Sequence, residues 1–488
     1  MAVTKKQINA LMKDASKAAN LILKSIEKSD TIHVSSHTDA DGLASAGIIG
    51  KSLARLGGTF HLRIAKWVEE KVVDQIAAEK PPLTIFTDSG GGYLDLLSEK
   101  LSTNKVIILD HHQTSSETPP AFIHVNPHFH GIDGSRDISG AGVAYFVAKA
   151  LDKTNVDLAH LAVVGALGDM QDKYHDKSGH RKLGGANDSI VEDAVNTGYL
   201  KVETDLMFFG RETRPIHQAL ARTTNPFLPG ISGEEDKSLA FLANLGIKPK
   251  QGDKWRALRD LSEEEKKNLF SAIADYLVSK GFAGDAALNL IGNVYTLARE
   301  EPWTPLRDAR EFTVMLNATG RMDKAGLGVA ICMGDRGKCL QEAITVIKEY
   351  RRTITKYLSW LTEKPERLEE LESIYVVRGD SVIDEKVISP VSSILSTTLS
   401  KLGKPIIAYS LISGENMVKV SARAVEPLIK KGLNLGEILN VAADKHSGRG
   451  GGHDIAAGAQ IPIKNVEPFI KLVDKLVKKQ LKGIQLEG

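Results

Sequence analysis

Asp39 and Asp41, with His37 just ahead of them, stand in the segment HTDADG, where alternate acidic side chains on a turn can face different cations while Gly42 lets a helix begin. Asp88 stands in FTDSGGG, Asp110, His111 and His112 in LDHHQ, and Asp169 in VVGALGDMQD, each after an apolar run. One Asp in such a place is most simply a turn former or a helix cap. Four clusters of carboxylate and imidazole in one chain are not accounted for that way. In LDHHQ one imidazole can ligate a cation while the second reaches a substrate phosphate, with Asp110 orienting a ring from behind. Carboxylate oxygens mixed with imidazole suit Mn²⁺, or Mg²⁺ in its place, and the clusters lack the thiolates of a structural zinc site. Two such ions about 3.5–4 Å apart would clamp a phosphodiester and lower the pKa of a water between them, so the chemistry expected is hydrolysis at phosphorus.

The elements that must position these residues follow from the hydrophobic rhythm. TIHVSS, FHLRIA, LTIFTD, KVIILD and FIHVNP read as short strands, separated by helical patterns near 43–56, 70–79 and 93–100. That alternation predicts an α/β fold with a mainly parallel, doubly wound sheet, whose ligands bind at the carboxyl ends of strands. All four clusters are expected at such ends. The rhythm breaks over 205–292 into helix-like segments such as LSEEEKKNLFSAIADYLVSKG, which predicts a helical insertion. The expected organisation is a catalytic domain over 1–204, the insertion over 205–292, the remainder of the catalytic domain over 293–340, a linker helix over 341–371 and a smaller α/β domain over 372–488. Within the third segment, 311–333 is Gly-rich and strand-like, and its turns would present Asn317 and Arg321 to substrate.

Other features narrow the class. With 488 residues the chain is too long for one core, and 42% hydrophobic with 25% charged residues is ordinary globular composition. Lys+Arg 63 against Asp+Glu 61 leaves +2, so nucleic-acid binding would need local basic surfaces. Two cysteines, Cys332 and Cys339, exclude a disulfide framework and are expected in the core. No run of about 18 apolar residues implies a membrane span, and the charged amphipathic N-terminus is unlike a signal peptide, so a cytoplasmic protein with no membrane partner is expected. SGAG from Ser139 could open a helix whose N-terminus cradles an anion, or Ser139 could simply cap it. Near the C-terminus Gly450, Gly451 and Gly452 would permit close backbone approach to phosphate, with Arg449 and His453 adding contacts.

HTDADG, FTDSG, LDHHQ and GALGDMQD, in that order, resemble the four motifs of the DHH phosphoesterase superfamily, and SGRGGGHDIAAGA resembles the glycine-rich motif of its associated C-terminal domain. The resemblance implies one metal held by His37, Asp39 and Asp88 and a second by Asp41, Asp88, His111 and Asp169, with His112 beside the scissile phosphate. It also implies that Arg423, in the Ser-x-Arg element of VKVSARA, grips the nucleic-acid backbone. The layout is similar to RecJ-like nucleases of the archaeal, GINS-associated type. A 5′-to-3′ exonuclease on single-stranded DNA or RNA, acting in replication or repair, is therefore expected, with the insertion docking GINS. The alternatives are an oligoribonuclease or cyclic-dinucleotide phosphodiesterase, and a noncatalytic replication scaffold.

Overall fold

The structure, a computed structural model, describes residues 3–114, 116–223, 226, 228–282, 286–398 and 403–483. It divides into two compact units, Met1–Ile347 and Lys348–Gly488.

The first unit opens with helix α1 (Lys5–Glu27), started by a reciprocal capping box between Thr4 and Gln7. There follow β1 (Ile32–Ser36), α2 (Ala40–Arg55), β2 (Phe60–Ile64), α3 (Glu70–Glu79), β3 (Leu83–Thr87), α4 (Leu94–Leu101), β4 (Lys105–Leu109) and β5 (Phe122–Val125). The five strands form one wholly parallel sheet in the order β2-β1-β3-β4-β5. Such a sheet is covered on both faces, which is why β3 and β4 are nearly continuous apolar runs. Phe86, Val106 and Ile108 pack with Val73, Ile76, Leu94 and Leu97 of α3 and α4. The intervening Ile85 and Ile107, also fully buried, face the other way by the two-residue period of a strand. On that side stand α2, α5 (Gly140–Leu151) and α6 (Ala159–Gly168), packed on one another.

Beyond α6 come β6 (Tyr174–His175), β7 (Arg181–Lys182), α7 (Asn187–Asn196) and β8 (Leu200–Leu206). The segment expected to be a helical insertion contains α8 (Ile216–Ala221), α9 (Glu235–Asn244), a small hairpin of β9 (Lys250–Gln251) and β10 (Lys254–Trp255), and α10 (Glu263–Ser279). It has its own apolar core, including Ile216, Leu220, Leu242, Leu258, Leu269, Ile273 and Leu277. The chain returns through β11 (Ile291–Leu297), which pairs antiparallel with β8 along its full length, so both ends of the segment leave through one two-stranded neck.

The strand-like reading of 311–333 is overturned: α11 (Ala309–Arg321) and α12 (Ala325–Met333) occupy it. Its glycines serve helix packing rather than turns. A Cβ on Gly320 would stand 1.8 Å from the Thr38 carbonyl oxygen, one on Gly328 2.8 Å from Leu43, and one on Gly47 of α2 2.3 Å from the Cβ of Cys332. Cys332 is buried there, whereas Cys339 is only half-buried, against expectation. The long helix expected over 341–371 is α13 (Lys338–Glu363), and the boundary between the two units falls inside it.

In the second unit β12 (Leu368–Glu370), within the stretch read as helix, is the first strand of a six-stranded sheet. The others are β13 (Tyr375–Arg378), β14 (Ile406–Leu411), β15 (Met417–Arg423), β16 (Arg449–Gly452) and β17 (Ala456–Pro462), in the order β12-β13-β14-β15-β17-β16. Only β13 and β14 run parallel. Helices α14 (Ile388–Thr398), α15 (Glu426–Ile429), α16 (Leu435–Asp444) and α17 (Val466–Leu481) complete it, with Ile438, Leu439, Phe469, Ile470 and Val473 packed on Val418, Val420 and Ile461.

Candidate metal centre

β1, β3 and β4 end side by side, and the turns leaving them carry the first three clusters. After β1, Asp39 caps α2 by accepting the Gly42 amide at 3.0 Å, and its other oxygen lies 3.0 Å from His37 Nδ1. Ser36 Oγ donates to the Gly42 carbonyl at 2.7 Å and accepts from Thr87 Oγ1 at 2.6 Å, which ties this turn to the end of β3. Asn317 of α11 accepts the Ala40 amide at 3.2 Å on its Oδ1, so its side chain holds the motif loop. Arg321, half-buried, ends the same helix and lies in no Gly-rich turn.

Asp41 is completely buried, and its carboxylate accepts the backbone amides of Gly140 at 2.7 Å and Ala141 at 3.0 Å. The helix N-terminus at SGAG does receive an anion, then, but the anion is Asp41 of the same chain. Ser139 caps that helix, accepting from the Gly142 amide at 3.4 Å.

Asp88, 3% exposed, has a backbone φ of +53°, a left-handed conformation that Asp tolerates better than most residues. The twist turns the chain sharply off β3 while the Asp88 amide donates to the Leu109 carbonyl at 2.8 Å. Asp88 Oδ1 is buried without a hydrogen-bond partner. It lies 3.2 Å from His111 Nε2, which is likewise unpartnered, and the other oxygen lies 3.8 Å from His37.

After β4, Asp110 is saturated. One oxygen accepts the Gly91 amide at 2.7 Å, and the other accepts the amides of His111 and His112 and faces His112 Nδ1 at 2.8 Å. His111 Nδ1 lies 2.6 Å from the Gly134 carbonyl. A carbonyl only accepts, so Nδ1 carries the proton and Nε2 is the atom aimed at Asp88, at Asp169 (3.3 Å) and at Asp41 (3.7 Å).

Asp169 corrects one expectation: VVGALG is helix α6, and Asp169 caps its C-terminus instead of ending a strand. A buried helix and a buried strand are both continuous apolar runs, which leaves them indistinguishable by periodicity. Gly165 lets this helix close in, since a Cβ there would stand 2.3 Å from Asp41 Oδ1.

The charges are strongly coupled. Burial, then Asp41 and Asp39, push the Asp88 carboxyl well above its ordinary range. Burial and Asp41 push Asp169 up to about 7. Burial opposes ionisation of Asp39 too, but His37 beside it outweighs that and holds it low. Burial would lower His111, yet Asp169, Asp41 and Asp110 outweigh it and raise the imidazole to about 9. Asp110 does the same for His112, also about 9, against burial, and is itself held far below the carboxylate range by the two imidazoles despite its own burial. Four carboxylates converge on one small space with two orphaned polar atoms, a donor set of oxygen and imidazole nitrogen that fits divalent cations. The donor atoms of His37, Asp39 and Asp88 lie within 4.8 Å of one another, and so do those of Asp41, His111 and Asp169.

Several supporting residues escaped the sequence reading. Gly134 must be glycine, because a Cβ would stand 1.7 Å from the His111 carbonyl oxygen, and Gly140 likewise, at 2.6 Å from Asp88 Oδ1. Gln171, fully buried, donates to the Gly134 carbonyl at 2.9 Å and accepts from Asn187. Asn126 donates to the His112 carbonyl at 3.0 Å. Gln171 sits in GDMQD, two residues past Asp169, where its closeness to that carboxylate is the one signal the sequence offers.

In the second unit Arg423 ends β15, donating to Ser393 Oγ at 2.8 Å and to the Ala422 and Ala457 carbonyls. Arg449 to Gly452 form the edge strand β16, with Gly452 opposite Ala457 and Arg423 opposite Ala456, so Arg423 and exposed His453 share one end of the sheet. Arg449 lies three residues along the edge. Gly450 packs under α16, where a Cβ would stand 2.4 Å from the Leu439 carbonyl oxygen, whereas nothing approaches Gly451 within 4 Å. Of the three glycines only Gly451 has the open side a phosphate would need.

Residues 31–166 match the DHH family, N-terminal domain, residues 208–291 the DHH-CID domain and residues 374–479 the DHHA1 domain. A Methanocaldococcus jannaschii protein described only as uncharacterised is 33% identical over 458 residues, 92% of this chain and 94% of that one. The single-stranded-DNA-specific exonuclease RecJ of Thermus thermophilus is 30% identical over 171 residues, 33% of this chain and 25% of that one. RecJ from that organism, solved with Mn²⁺, has a similar fold (TM-score 0.59, 20% identity) across 96% of this chain, which spans 55% of it. CDC45 from Entamoeba histolytica is also similar in fold (TM-score 0.63, 13% identity), over 96% of this chain and 99% of that one.

Proposed function

Because the chain belongs to the DHH superfamily and is RecJ-like, we propose that it is a metal-dependent exonuclease that hydrolyses phosphodiester bonds of single-stranded nucleic acid, 5′ to 3′ on DNA and also on RNA. The observation that carries this reading is the pair of buried, unpartnered atoms, Asp88 Oδ1 and His111 Nε2, facing each other among Asp41, Asp169 and His37. His37, Asp39 and Asp88 would hold one cation and Asp41, Asp88, His111 and Asp169 the other. Two bound ions, Mn²⁺ or Mg²⁺ as in the solved RecJ complexes, would neutralise the phosphodiester and lower the pKa of the attacking water.

The chain's own residues do the rest. Backbone amides fix Asp41, and the Gly134 carbonyl fixes the His111 tautomer, so neither need reorganise during reaction. His112, half exposed and held protonated at neutral pH by Asp110, offers Nε2–H to a phosphate oxygen. Arg423 and His453 would hold phosphates remote from the reacting one. The helical segment enclosed by β8 and β11 would dock a replication partner such as GINS, since it holds a separate core and none of the site's donor atoms.

Time courses with 5′- and 3′-labelled DNA and RNA of graded length, in Mn²⁺ and in Mg²⁺, test the reading. Shortening from the 5′ end, abolished by EDTA and restored by Mn²⁺ better than by Ca²⁺, is expected. Full activity after rigorous chelation would reject a metal mechanism. Preference for two to five nucleotides, or for cyclic dinucleotides, would select the oligonucleotide phosphodiesterase instead. The full-length likeness to the CDC45 fold favours a second reading, a noncatalytic replication scaffold. The complete donor set weighs against it.

A further inference from the structure

A second ligand cluster lies away from the motif turns, toward the other end of the same strands. His33 of β1 stands in register with His61 of β2 on one side and with Thr84 of β3 on the other. Their ring centroids are 5.1 Å apart, and His33 Nδ1 lies 3.2 Å from Oε2 of Glu79, the last residue of α3. One donor atom from each of His33, His61 and Glu79 falls within 4.8 Å of the other two. Arg63 occupies only Oε1 of that carboxylate, at 3.1 Å, and its other nitrogen goes to Gln75, which leaves Oε2 facing the histidines. Burial lowers the His33 imidazole, so it is neutral near pH 7 with a lone pair to give.

An independent observation points the same way. Thr84 Oγ1 is fully buried and has no hydrogen-bond partner. Thr84, His33 and His61 line one cavity of about 10 Å³, the volume of a single small occupant such as a water.

We propose that His33, His61 and Glu79 form a site for Zn²⁺, distinct from the pair of hard-cation positions at the motif turns. Two imidazoles and one carboxylate are a zinc donor set, in contrast to the carboxylate-rich centre, and the fourth position belongs to a water for which Thr84 Oγ1 is the waiting partner. Four residue steps lead from His33 to His37, just past the end of β1, roughly 13 Å at about 3.3 Å per residue, so the two sites do not share ligands. A cation here pins the C-terminus of α3 to β1 and β2.

The test uses the full chain saturated with Mn²⁺, titrated with Zn²⁺ by calorimetry, with zinc content measured after gel filtration and free Mn²⁺ followed by its paramagnetic resonance signal. One equivalent of Zn²⁺ should bind without release of Mn²⁺. His61→Ala, at an exposed position that does not threaten the fold, and Glu79→Gln should each weaken that uptake by about tenfold or more while Mn²⁺-supported hydrolysis stays unchanged. Equal Zn²⁺ affinity in wild type and both variants, or uptake matched by Mn²⁺ release, overturns the proposal. Failure of hydrolysis in every protein, with Zn²⁺ uptake still dependent on His61, would leave the zinc site standing and reject the nuclease reading alone.

Discussion

The convergence of motif turns in the first unit and the glycine-rich edge of the second are both marked by residue type, yet they are built in opposite ways. In the first, charged side chains are buried and their outer oxygens are taken by backbone amides, so the unsatisfied atoms point inward. In the second, the candidate groups lie along the edge strand β16 and at one end of the sheet, where Arg423 already donates to protein oxygens and Gly450 is occupied with packing. Buried, over-determined polar groups suit chemistry, which needs fixed geometry; groups at an accessible strand edge suit grip, which does not.

That contrast can be broken most sharply at Asp88. Asp88→Ala should cost hydrolysis on the order of a thousandfold or more, while circular dichroism shows an intact fold, since the residue faces both groups of ligands. Retention of more than about a tenth of the rate would remove Asp88 from the shared position. One step out from the ligands, Gly140→Ala and Gln171→Ala should lose about 10- to 100-fold. The added methyl would press on Asp88, and loss of the Gln171 amide would loosen the Gly134 carbonyl that orients His111. Wild-type rates in both would mean that the site tolerates slack and that the contrast is overdrawn.

At the glycine-rich edge, His453→Ala should raise KM several-fold on a 20-mer and leave kcat and dinucleotide hydrolysis nearly unchanged, as expected of a contact away from the reacting phosphate. Equal effects on both substrates would count against grip. Arg423→Ala should act in the same direction but also lower thermal stability, because its hydrogen bonds hold Ser393 and the β17 backbone.

The gentlest perturbation is pH. In the metal-free protein His111 and His112 have folded values near 9, above the ordinary 6.5. Each therefore contributes stability that is complete below pH 6.5 and is lost as pH rises toward 9. The melting temperature should fall across that window without metal, and Mn²⁺ should flatten the profile by taking the place of the His111 proton. A metal-free protein whose melting temperature is unchanged from pH 6.5 to 9 would contradict the coupling of these imidazoles to Asp169 and Asp110.

How much of this was legible depended on range. The five parallel strands and the donors at the ends of β1, β3 and β4 were readable, because apolar runs and polar turns are local signals. Asp169 was found for a partly mistaken reason, since the apolar run before it is a helix. The strand-like reading of 311–333 failed because glycines that admit a close neighbour look like glycines that permit a turn; only Thr38 and Leu43, far off in sequence, distinguish the two. The partners of Asn317 and of the SGAG helix were hidden for the same reason: Ala40 and Asp41 lie 277 and about 100 positions away. Arg449 and the three glycines were identified as a group, but pairing with β17 separates them into packed and open positions.

The grip of the α5 amides on Asp41 has a consequence for the life history of the protein. A helix end of the same chain already screens the most deeply buried carboxylate, so Asp41 is held in place by the polypeptide itself. On the metal-dependent reading proposed above, synthesis and metal supply would be uncoupled: a chain already folded would wait as an inactive reserve until divalent ions arrive and fill the centre by mass action.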